Sequence, residues 1–398
     1  MNLFLIDIQQ SKIIPIVTIS LILIQLCVSF FDMEMFLASY AALAGVLIAF
    51  LVAFILLVRK KSIHKFDSII LLFIVTLESI TLFTGADWKN WLYLAFSICA
   101  YLFVFNYYQE RYKTIILTIL SVMSVLVYCQ LFQCITHPEM WISEEAKELH
   151  GYLLGGNYNQ MASRLMIALL AGILSIQYSK LFWLNLIPLF ISCFAIMLMV
   201  KSMTALTCLF FFLIFCLIRN QRLLSLGIIC LYIGILLFQI VVCFSGKGFE
   251  NNEFARWLII DLLDKDMTFT GRTVLWDFAL RLIVKSPIWG YGFVDAEWFK
   301  ANMASFGIGA HNFILNTMIY GGIVLLILYI GLIIKCLQHL ISINDIYSKR
   351  MMAAFGVMSA MMLFEVYEFP LVFLLLTIMY YYPGISLHTE TLHERKQQ

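Results

Sequence analysis

The sequence contains few charged residues. Of its 398 residues, only 13% are Asp, Glu, Lys or Arg, and 63% are hydrophobic, whereas a soluble domain is usually about one quarter charged and about half apolar. This composition excludes an ordinary soluble enzyme. The mean hydropathy is +0.93, and apolar runs of about 20 residues, each long enough to cross the hydrocarbon core of a bilayer, recur along the chain. These features predict an all-α polytopic membrane protein.

Motifs that bind metals or form disulfide frameworks are also absent. The ten cysteines form no Cys-x-x-Cys pair and no cluster with histidine. They lie in or beside apolar runs, where free cysteine behaves as a small hydrophobic residue. No DxD-like acidic pair occurs in an early external loop, so nothing in the sequence requires a divalent cation. We therefore expect no metal and no other cofactor.

The apolar runs are continuous rather than alternating, which excludes a membrane β-barrel. They predict about twelve transmembrane helices in a single integral membrane domain, residues 1–398. The expected spans are residues 13–31, 36–58, 67–84, 90–106, 114–133, 159–178, 181–200, 203–218, 223–244, 312–334, 351–368 and 370–387.

The distribution of lysine and arginine predicts the orientation. With a cytoplasmic N-terminus, basic segments such as RKKSIHK and RNQR fall on the inner side, and the short outer loops carry few cations, as the positive-inside rule requires. Both termini are then cytoplasmic. Two extracytoplasmic segments result, residues 134–158 and a long loop at residues 245–311. Because no cytoplasmic loop is long enough to fold alone, any chemistry is expected in the membrane or at its outer face.

The long loop is expected to be partly helical. Helical spacing runs over residues 273–285, with Thr270 as the candidate N-cap, and Ser-Pro at 286–287 ends the helix. A second, amphipathic helix is expected at residues 255–263. Such helices lie in the interface plane, so the loop is expected to form a cap on the outer membrane surface.

Three cations belong to this cap. Arg272 stands at the predicted helix entrance, where free backbone amides also favour an anion, and a guanidinium group binds phosphate oxygens as a two-pronged donor. Arg281 and Lys285 lie further along the same helix. For these two, contact with anionic lipid headgroups is the alternative interpretation.

Two further cations lie near the outer ends of predicted spans. Arg164 is inside the sixth span, and a charge there is costly unless it is paired or hydrated, which makes it a candidate functional group. Lys201 lies at the outer junction of the seventh and eighth spans, where an ordinary interfacial anchor is equally plausible. Glu365 and Glu368, near the outer end of the eleventh span, are candidates to pair with these cations or to face an acceptor.

The stretch GAHNFILNTMIYGG (residues 309–322) places polar side chains at the entrance of the tenth span. His311 is the candidate general base because an imidazole accepts protons near neutral pH. Asn312 and Asn316 lie beside it. Gly321 and Gly322 are expected to allow close helix packing.

Three motifs of this sequence resemble those of a known family. GRTVLW, SPIWGYG and AHNFILNTMIYGG are similar to the GR-x-x-x-W, P-x-x-G-x-G and H-N/S elements of the O-antigen ligase and polymerase family. GGNYNQMA also resembles the family's asparagine-containing segment. KSMTALT is similar to its small and hydroxyl-bearing segment, although it lacks the serine–arginine pair often found there. The resemblance covers roughly residues 150–370.

The resemblance implies a metal-independent, inverting glycosyltransferase of the GT-C type. Such an enzyme transfers a glycan from undecaprenyl pyrophosphate at the outer face of the bacterial cytoplasmic membrane. The expected catalytic residues are His311 as the base, or as a pyrophosphate ligand, and Arg272 and Arg164 as stabilisers of the leaving group. Substrate contacts are expected from Lys201, Arg281, Lys285, Asn157, Asn159, Asn312, Trp276 and Tyr291.

Three functions remain open at this point. A repeat-unit polymerase is favoured over a ligase that acts on lipid A-core or protein, because the chain shows no separate large acceptor-binding domain and polymerases dominate the family. A transporter or flippase is disfavoured because the charges cluster at one face, no broken helix is evident and the long loop has no transport role. The expected partners are the lipid-linked oligosaccharide, membrane lipid, and flippase and chain-length regulator proteins. No nucleic acid partner is expected.

Overall fold

A computed structural model of the protein describes residues 13–27, 63–142, 152–155, 158–245, 271–303 and 309–385, with six single positions between 47 and 58. Helices make up the regular structure of these residues. They are α1 (Ile13–Cys27), α2 (Lys65–Thr84), α3 (Trp88–Tyr107), α4 (Tyr112–Thr136), α5 (Glu139–Ile142), α6 (Met161–Ser175), α7 (Trp183–Met199), α8 (Met203–Leu217), α9 (Gln221–Val241), α10 (Arg272–Lys285), α11 (Ala296–Asn302), α12 (Phe313–Ile343), α13 (Ile346–Met361) and α14 (Phe369–Tyr380).

The all-α polytopic class is confirmed. Among the described residues, six helical segments are long and apolar enough to cross a membrane, and four shorter apolar helices accompany them. The span expected at 36–58 lies almost entirely outside the described residues, and so does the amphipathic helix expected at 255–263. The total of twelve spans therefore stays a prediction.

Helix α6 forms the centre of the protein. Every residue from Met161 to Ser175 is buried, and the helix packs against α4, α7, α13 and α14. Helix α9, by contrast, buries only three of its residues, Leu224, Ile228 and Gln239. A helix that is apolar on all sides belongs in a core. The position of α6 therefore places Arg164 inside the protein rather than against lipid.

The eleventh span is shorter than expected. Helix α13 ends at Met361 and α14 begins at Phe369, whereas the sequence analysis extended the span to residue 368. Pro370 stands in the first turn of α14, where its missing N–H costs nothing and its fixed φ favours a helix start. Residues 362–368, MLFEVYE, are left as a non-helical segment, which we call the 362–368 connection.

Helix α12 is broken in its N-terminal third. Gly321 and Gly322 have non-helical backbone angles, and Gly322 has φ 60° and ψ −156°. These glycines do allow close packing, because a Cβ at Gly322 would collide with the Ile288 carbonyl, but they also interrupt the helix. No broken helix was evident from the sequence, and the structure contradicts that expectation. This feature therefore no longer argues against a transporter.

The SPIWGYG segment supplies the hydrogen bonds that α12 loses at its break. Four backbone bonds join the two: Tyr291 N–H to the Ile319 carbonyl (2.8 Å), Gly292 N–H to the Tyr320 carbonyl (2.9 Å), Ile323 N–H to the Pro287 carbonyl (2.9 Å) and Val324 N–H to the Ile288 carbonyl (3.5 Å). A Cβ at Gly290 would collide with the Ile319 carbonyl. The two motifs thus form one structural unit, which fixes the N-terminal piece of α12 and the residues just before it.

Candidate functional site

Polar side chains from several elements converge on the 362–368 connection. Arg164 and Gln160 reach it from α6 and the residue before it, Arg272 reaches it from the start of α10, and His311 and Asn312 reach it from the start of α12. The contacts are Arg164 with Glu368, Gln160 with Val366, Arg272 with Phe364, His311 with Glu365, and Asn312 with Leu363. The three predicted catalytic residues therefore meet on one short segment.

Arg164 is buried and paired. Its side chain is 3% exposed, and its Nη2 lies 3.2 Å from Glu368 Oε1. The guanidinium group also donates to the carbonyls of Leu26 (3.1 Å) and Gln160 (3.0 Å), and it lies against Gly155, where a Cβ would come within 2.7 Å of Nη1. Nε has no hydrogen-bond partner among the described residues. The charge is thus compensated, with one donor left over.

Arg272 opens α10. Gly271 occupies the N-cap position with φ 80° and no side-chain hydrogen bond, and the predicted cap, Thr270, lies outside the described residues. Arg272 Nε donates to the Phe364 carbonyl at 2.9 Å. This contact holds the guanidinium at the connection, at the N-terminal end of α10, where the helix dipole is positive. Both features favour an anion at this position.

His311 is held in a left-handed backbone conformation, with φ 45°. Its Nδ1 lies 3.4 Å from Glu365 Oε1, close enough for an ion pair, but the atoms are not aligned as a hydrogen bond. The two side chains are 23% and 13% exposed. An imidazole beside a largely buried carboxylate is suited to accept a proton, because the carboxylate stabilises the resulting cation.

The two asparagines fix the backbone on either side of His311. Asn312 is fully buried; its Oδ1 caps α12 by accepting from Leu315 N–H at 3.0 Å, and its Nδ2 donates to Gln239 and Leu363. Asn316 Oδ1 accepts from Ala310 N–H at 3.1 Å. These bonds explain how a non-glycine residue is kept at positive φ. Because both ends of the Asn312 amide are hydrogen-bonded within the protein, this side chain serves the fold rather than the predicted substrate contact.

Electrostatic coupling shows that the charged groups share one environment. Burial raises the pKa of the Tyr367 phenol well above its ordinary value, Glu365 raises it further, and Arg164 and Arg272 lower it. Tyr367 lies in the middle of the 362–368 connection and is buried. The two arginines and the carboxylate therefore all act on the same phenol.

Two other residues predicted to contact the substrate, Lys201 and Asn159, lie at the junction of α7 and α8. Lys201 is exposed and has φ 54°, and the adjacent Ser202 hydroxyl lies 3.4 Å from Asn159 Oδ1. Between these helices an apolar groove of about 460 Å³ is lined by Phe194, Ala195, Leu198, Leu206, Thr207 and Phe210. Leu198 is only three residues from Lys201, so the groove begins within one helical turn of this cation.

Other predicted residues lie elsewhere. Arg281 pairs with Asp277 at 2.9 Å and is exposed, and Lys285 ends α10. With a rise of 1.5 Å per residue, the Cα atoms of these two cations lie about 13 Å and about 20 Å along the axis from that of Arg272. The structure thus does not bring them to the 362–368 connection.

The two aromatic residues predicted to contact sugars differ in exposure. Trp276 is fully buried and packs against the rings of Phe238 and Phe364, so it presents no accessible face. Tyr291 is partly exposed, donates its hydroxyl to the Leu282 carbonyl and lies 5.1 Å from the Trp298 ring. Asn157 lies outside the described residues.

The sequence analysis missed two members of the site. Gln160 donates to the Val366 carbonyl at 2.7 Å, and its own carbonyl accepts from Arg164. Tyr367 is the buried phenol described above. Gln160 could have been predicted from its four-residue spacing to Arg164, which places both on one helix face. Tyr367 could have been predicted from the two acids around it, just before Pro370.

Within the described ranges, no group of three or more His, Cys, Asp or Glu side chains is arranged to hold a metal ion. The arrangement instead brings two arginines, one imidazole and two carboxylates together on the 362–368 connection. Cations of this kind stabilise a phosphate-bearing leaving group, and the imidazole is placed to act as an acid or base.

Comparison with known proteins gives a match to a family model. Residues 186–330 match a family model described as O-antigen ligase, and no curated protein matches the chain. The matched range includes Arg272, His311 and the SPIWGYG segment, whereas Arg164 and the 362–368 connection lie outside it. Over residues 186–330 the match confirms the resemblance to the O-antigen ligase and polymerase family that the three motifs carry.

Proposed function

We propose that the protein is a polymerase of glycan repeat units. It transfers a glycan from undecaprenyl pyrophosphate to a sugar hydroxyl of a second lipid-linked unit, at the outer face of the bacterial cytoplasmic membrane, with both termini in the cytoplasm. The observation that carries the proposal is the meeting of Arg164, Arg272 and His311 on the 362–368 connection.

The two arginines stabilise the leaving group. In the reaction the bond between the anomeric carbon and the pyrophosphate oxygen breaks, and negative charge develops on that oxygen. Arg272, at a helix N-terminus, and the unpartnered Nε of Arg164 are the donors for this charge. Preorganised cations in a site shielded from water lower the barrier most, and their presence supports a reaction without a metal ion.

His311 activates the acceptor. Its imidazole takes the proton of the attacking hydroxyl as the new glycosidic bond forms, and Glu365, 3.4 Å from Nδ1, stabilises the imidazolium that results. Attack from the side opposite the leaving group inverts the configuration of the anomeric carbon. The undecaprenyl pyrophosphate departs as an anion beside the arginines.

The apolar groove between α7 and α8 holds the carrier lipid. Its walls are hydrocarbon, and Lys201 stands at its outer end, so an isoprenoid tail and its pyrophosphate match the two parts in polarity. Asn159, which contacts Ser202, contributes a polar group near the same end. Flippase and chain-length regulator proteins are the natural partners, since one delivers the substrate and the other limits the product.

A ligase that transfers the finished glycan to lipid A-core or protein is the second candidate, favoured by the printed description of the matching family. Deletion of the gene distinguishes the two. Loss of a polymerase leaves single repeat units on the final acceptor, whereas loss of a ligase leaves long chains on the lipid carrier. A transporter is the third candidate. The broken α12 suits one, but the paired arginines and the His311–Glu365 contact have no transport role.

The direct test uses purified protein and a purified lipid-linked repeat unit. Wild type is expected to form longer lipid-linked chains, and His311→Ala is expected to lower the rate at least about a hundredfold, as for loss of a general base. His137→Ala is the matched control, because His137 is exposed and also lies beside a glutamate, Glu139, at 3.0 Å. Normal turnover by His311→Ala would refute the assignment.

A further inference from the structure

A small cavity borders the 362–368 connection. It has a volume of about 100 Å³ and lies between α3, the outer part of α12 and the start of α14. Its lining includes Glu368, Tyr367, Asn316, Tyr320, Phe313 and Phe369. Nothing in the mechanism above uses this cavity, although it adjoins residues that hold both Arg164 and His311.

Glu368 gives the cavity an unused acceptor. Oε1 of Glu368 pairs with Arg164, while no described residue donates a hydrogen bond to Oε2. The side chain is 40% exposed, so it is not sealed inside the protein. A carboxylate oxygen in this position accepts a hydrogen bond from a hydroxyl group.

The remaining walls suit the apolar faces of a sugar. Aromatic rings surround the cavity in contact with one another: Phe313 with Phe369 at 5.3 Å, Phe293 with Tyr320 at 5.1 Å and Tyr320 with Phe369 at 6.0 Å. Their packing holds the cavity open without requiring a ligand. A few polar groups on mostly apolar walls are the usual composition of a small-molecule site.

Charge determines which part of the reaction this cavity serves. A carboxylate repels pyrophosphate, so the donor's anionic group belongs on the side of the arginines, and a neutral hydroxylated group belongs beside Glu368. The volume of about 100 Å³ is well below the ~300 Å³ at which whole-ligand pockets begin. The cavity therefore takes one substituent of a sugar and not the entire ring.

We propose that this cavity is a recess for the acceptor sugar. It binds a hydroxyl or hydroxymethyl substituent of that sugar, with Glu368 Oε2 as the hydrogen-bond acceptor. Glu365 of the same connection contacts His311, so a sugar anchored at Glu368 lies close to the base that activates its attacking hydroxyl. The inference rests on the proposed transferase function, and it adds the part of the site that selects the acceptor.

Leu94 allows a test that leaves the charged residues unchanged. It lines the cavity from α3 and is partly exposed. Leu94→Phe is expected to fill the recess and raise the KM for a soluble acceptor oligosaccharide about tenfold or more, in line with the effect of one or two methylene groups in a pocket. Hydrolysis of the donor by water, which needs no acceptor sugar, is expected to stay within about twofold of wild type. Leu82→Phe, at a 57% exposed position on α2, is the control and is expected to change neither.

Deoxy analogues of the acceptor complete the experiment. Wild type is expected to bind one analogue, the one that lacks the hydroxyl held in the recess, more weakly than the parent sugar. In Leu94→Phe, whose recess is filled, the analogue and the parent sugar are expected to bind equally. If Leu94→Phe loses donor hydrolysis as well, Leu94→Ala replaces it and is expected to raise the acceptor KM with hydrolysis retained. If the variant that retains donor hydrolysis has an unchanged KM for the acceptor, the proposed recess is wrong, and the proposed transferase function is not affected. If wild type neither transfers nor hydrolyses the donor, the proposed function fails and the recess fails with it.

Discussion

At the scale of single residues, the contacts of Arg164, Arg272 and His311 define the candidate site. Arg164 was predicted because a charge within a span is costly, Arg272 because it stands at a helix start, and His311 because an imidazole accepts protons near neutral pH. Their contacts lie 204, 92 and 54 residues away along the chain, at Glu368, Phe364 and Glu365. Such pairs depend on how helices pack, which hydropathy does not report. Glu365 and Glu368 were named as candidate partners, but nothing local assigned either one to a particular cation.

Glu365→Gln tests the pairing with His311. Removal of the carboxylate charge leaves the imidazolium without its stabilising neighbour, so kcat is expected to fall about tenfold to a hundredfold with little change in KM for the donor. Glu365→Asp is expected to recover part of the loss. The control is Glu139→Gln, at the exposed His137–Glu139 pair, where no change is expected. Equal kcat values for Glu365→Gln and wild type would remove Glu365 from the mechanism.

Arg164→Ala tests the cost of breaking a partly buried ion pair. Loss of one partner of a fully buried pair costs about 3–5 kcal/mol. Because Glu368 is 40% exposed and water screens it, we expect roughly 2–3 kcal/mol here. The carbonyls of Leu26 and Gln160 also lose their donor. Thermal unfolding in detergent measures the effect, and a Tm equal to that of wild type would contradict the pairing.

At the scale of elements, apolar length predicted the membrane helices but not the irregular segments between them. It predicted the described helices other than α5, α10 and α11, because a membrane leaves the backbone no alternative to internal hydrogen bonds. The break in α12 and the 362–368 connection were missed, since averaging over about 20 residues hides an interruption of two to seven. The Gly-Gly pair and the SPIWGYG motif were visible, but their mutual hydrogen bonding required the fold.

Two glycines of α12 provide a matched comparison. Gly322 has φ 60° and ψ −156°, and a Cβ there would collide with the Ile288 carbonyl, so Gly322→Ala is expected to lower both Tm and activity. Gly331 lies in the helical part of α12 with open space around it. Gly331→Ala is expected to stabilise the protein by about 0.5–1 kcal/mol through helix propensity. Equal effects of the two substitutions would show that the break does not require glycine.

At the scale of the whole molecule, the buried helix α6 and the SPIWGYG segment organise the site. The central position of α6 presents Gln160 and Arg164 to the 362–368 connection, and the docked SPIWGYG segment fixes the entrance of α12 on which His311 stands. Composition was sufficient to predict a polytopic membrane protein. The family match over residues 186–330 includes His311 and Arg272 but not the connection that they contact. The contacts between the matched range and the segment before α14 are seen only in the folded structure.

Orientation is the whole-molecule property that the charge distribution predicts. A cysteine placed at exposed Lys300 in α11 is expected to react with a membrane-impermeant maleimide added to intact cells, in a protein whose native cysteines have been replaced. A cysteine at exposed Arg222, at the start of α9, is expected to react only after permeabilisation. The reverse pattern would place the site on the cytoplasmic face.

In the proposed reaction, the cations on the 362–368 connection stabilise a pyrophosphate leaving group. The most direct test of this role compares two arginines of α10 in the purified transfer assay: Arg272, bonded to the Phe364 carbonyl, and exposed Arg281. Arg272→Ala is expected to lower kcat about 10²- to 10³-fold, the effect of removing one preorganised donor to a developing charge, and Arg281→Ala is expected to stay within about twofold of wild type. Equal rates for the two variants, or a greater loss with Arg281→Ala, would contradict the account.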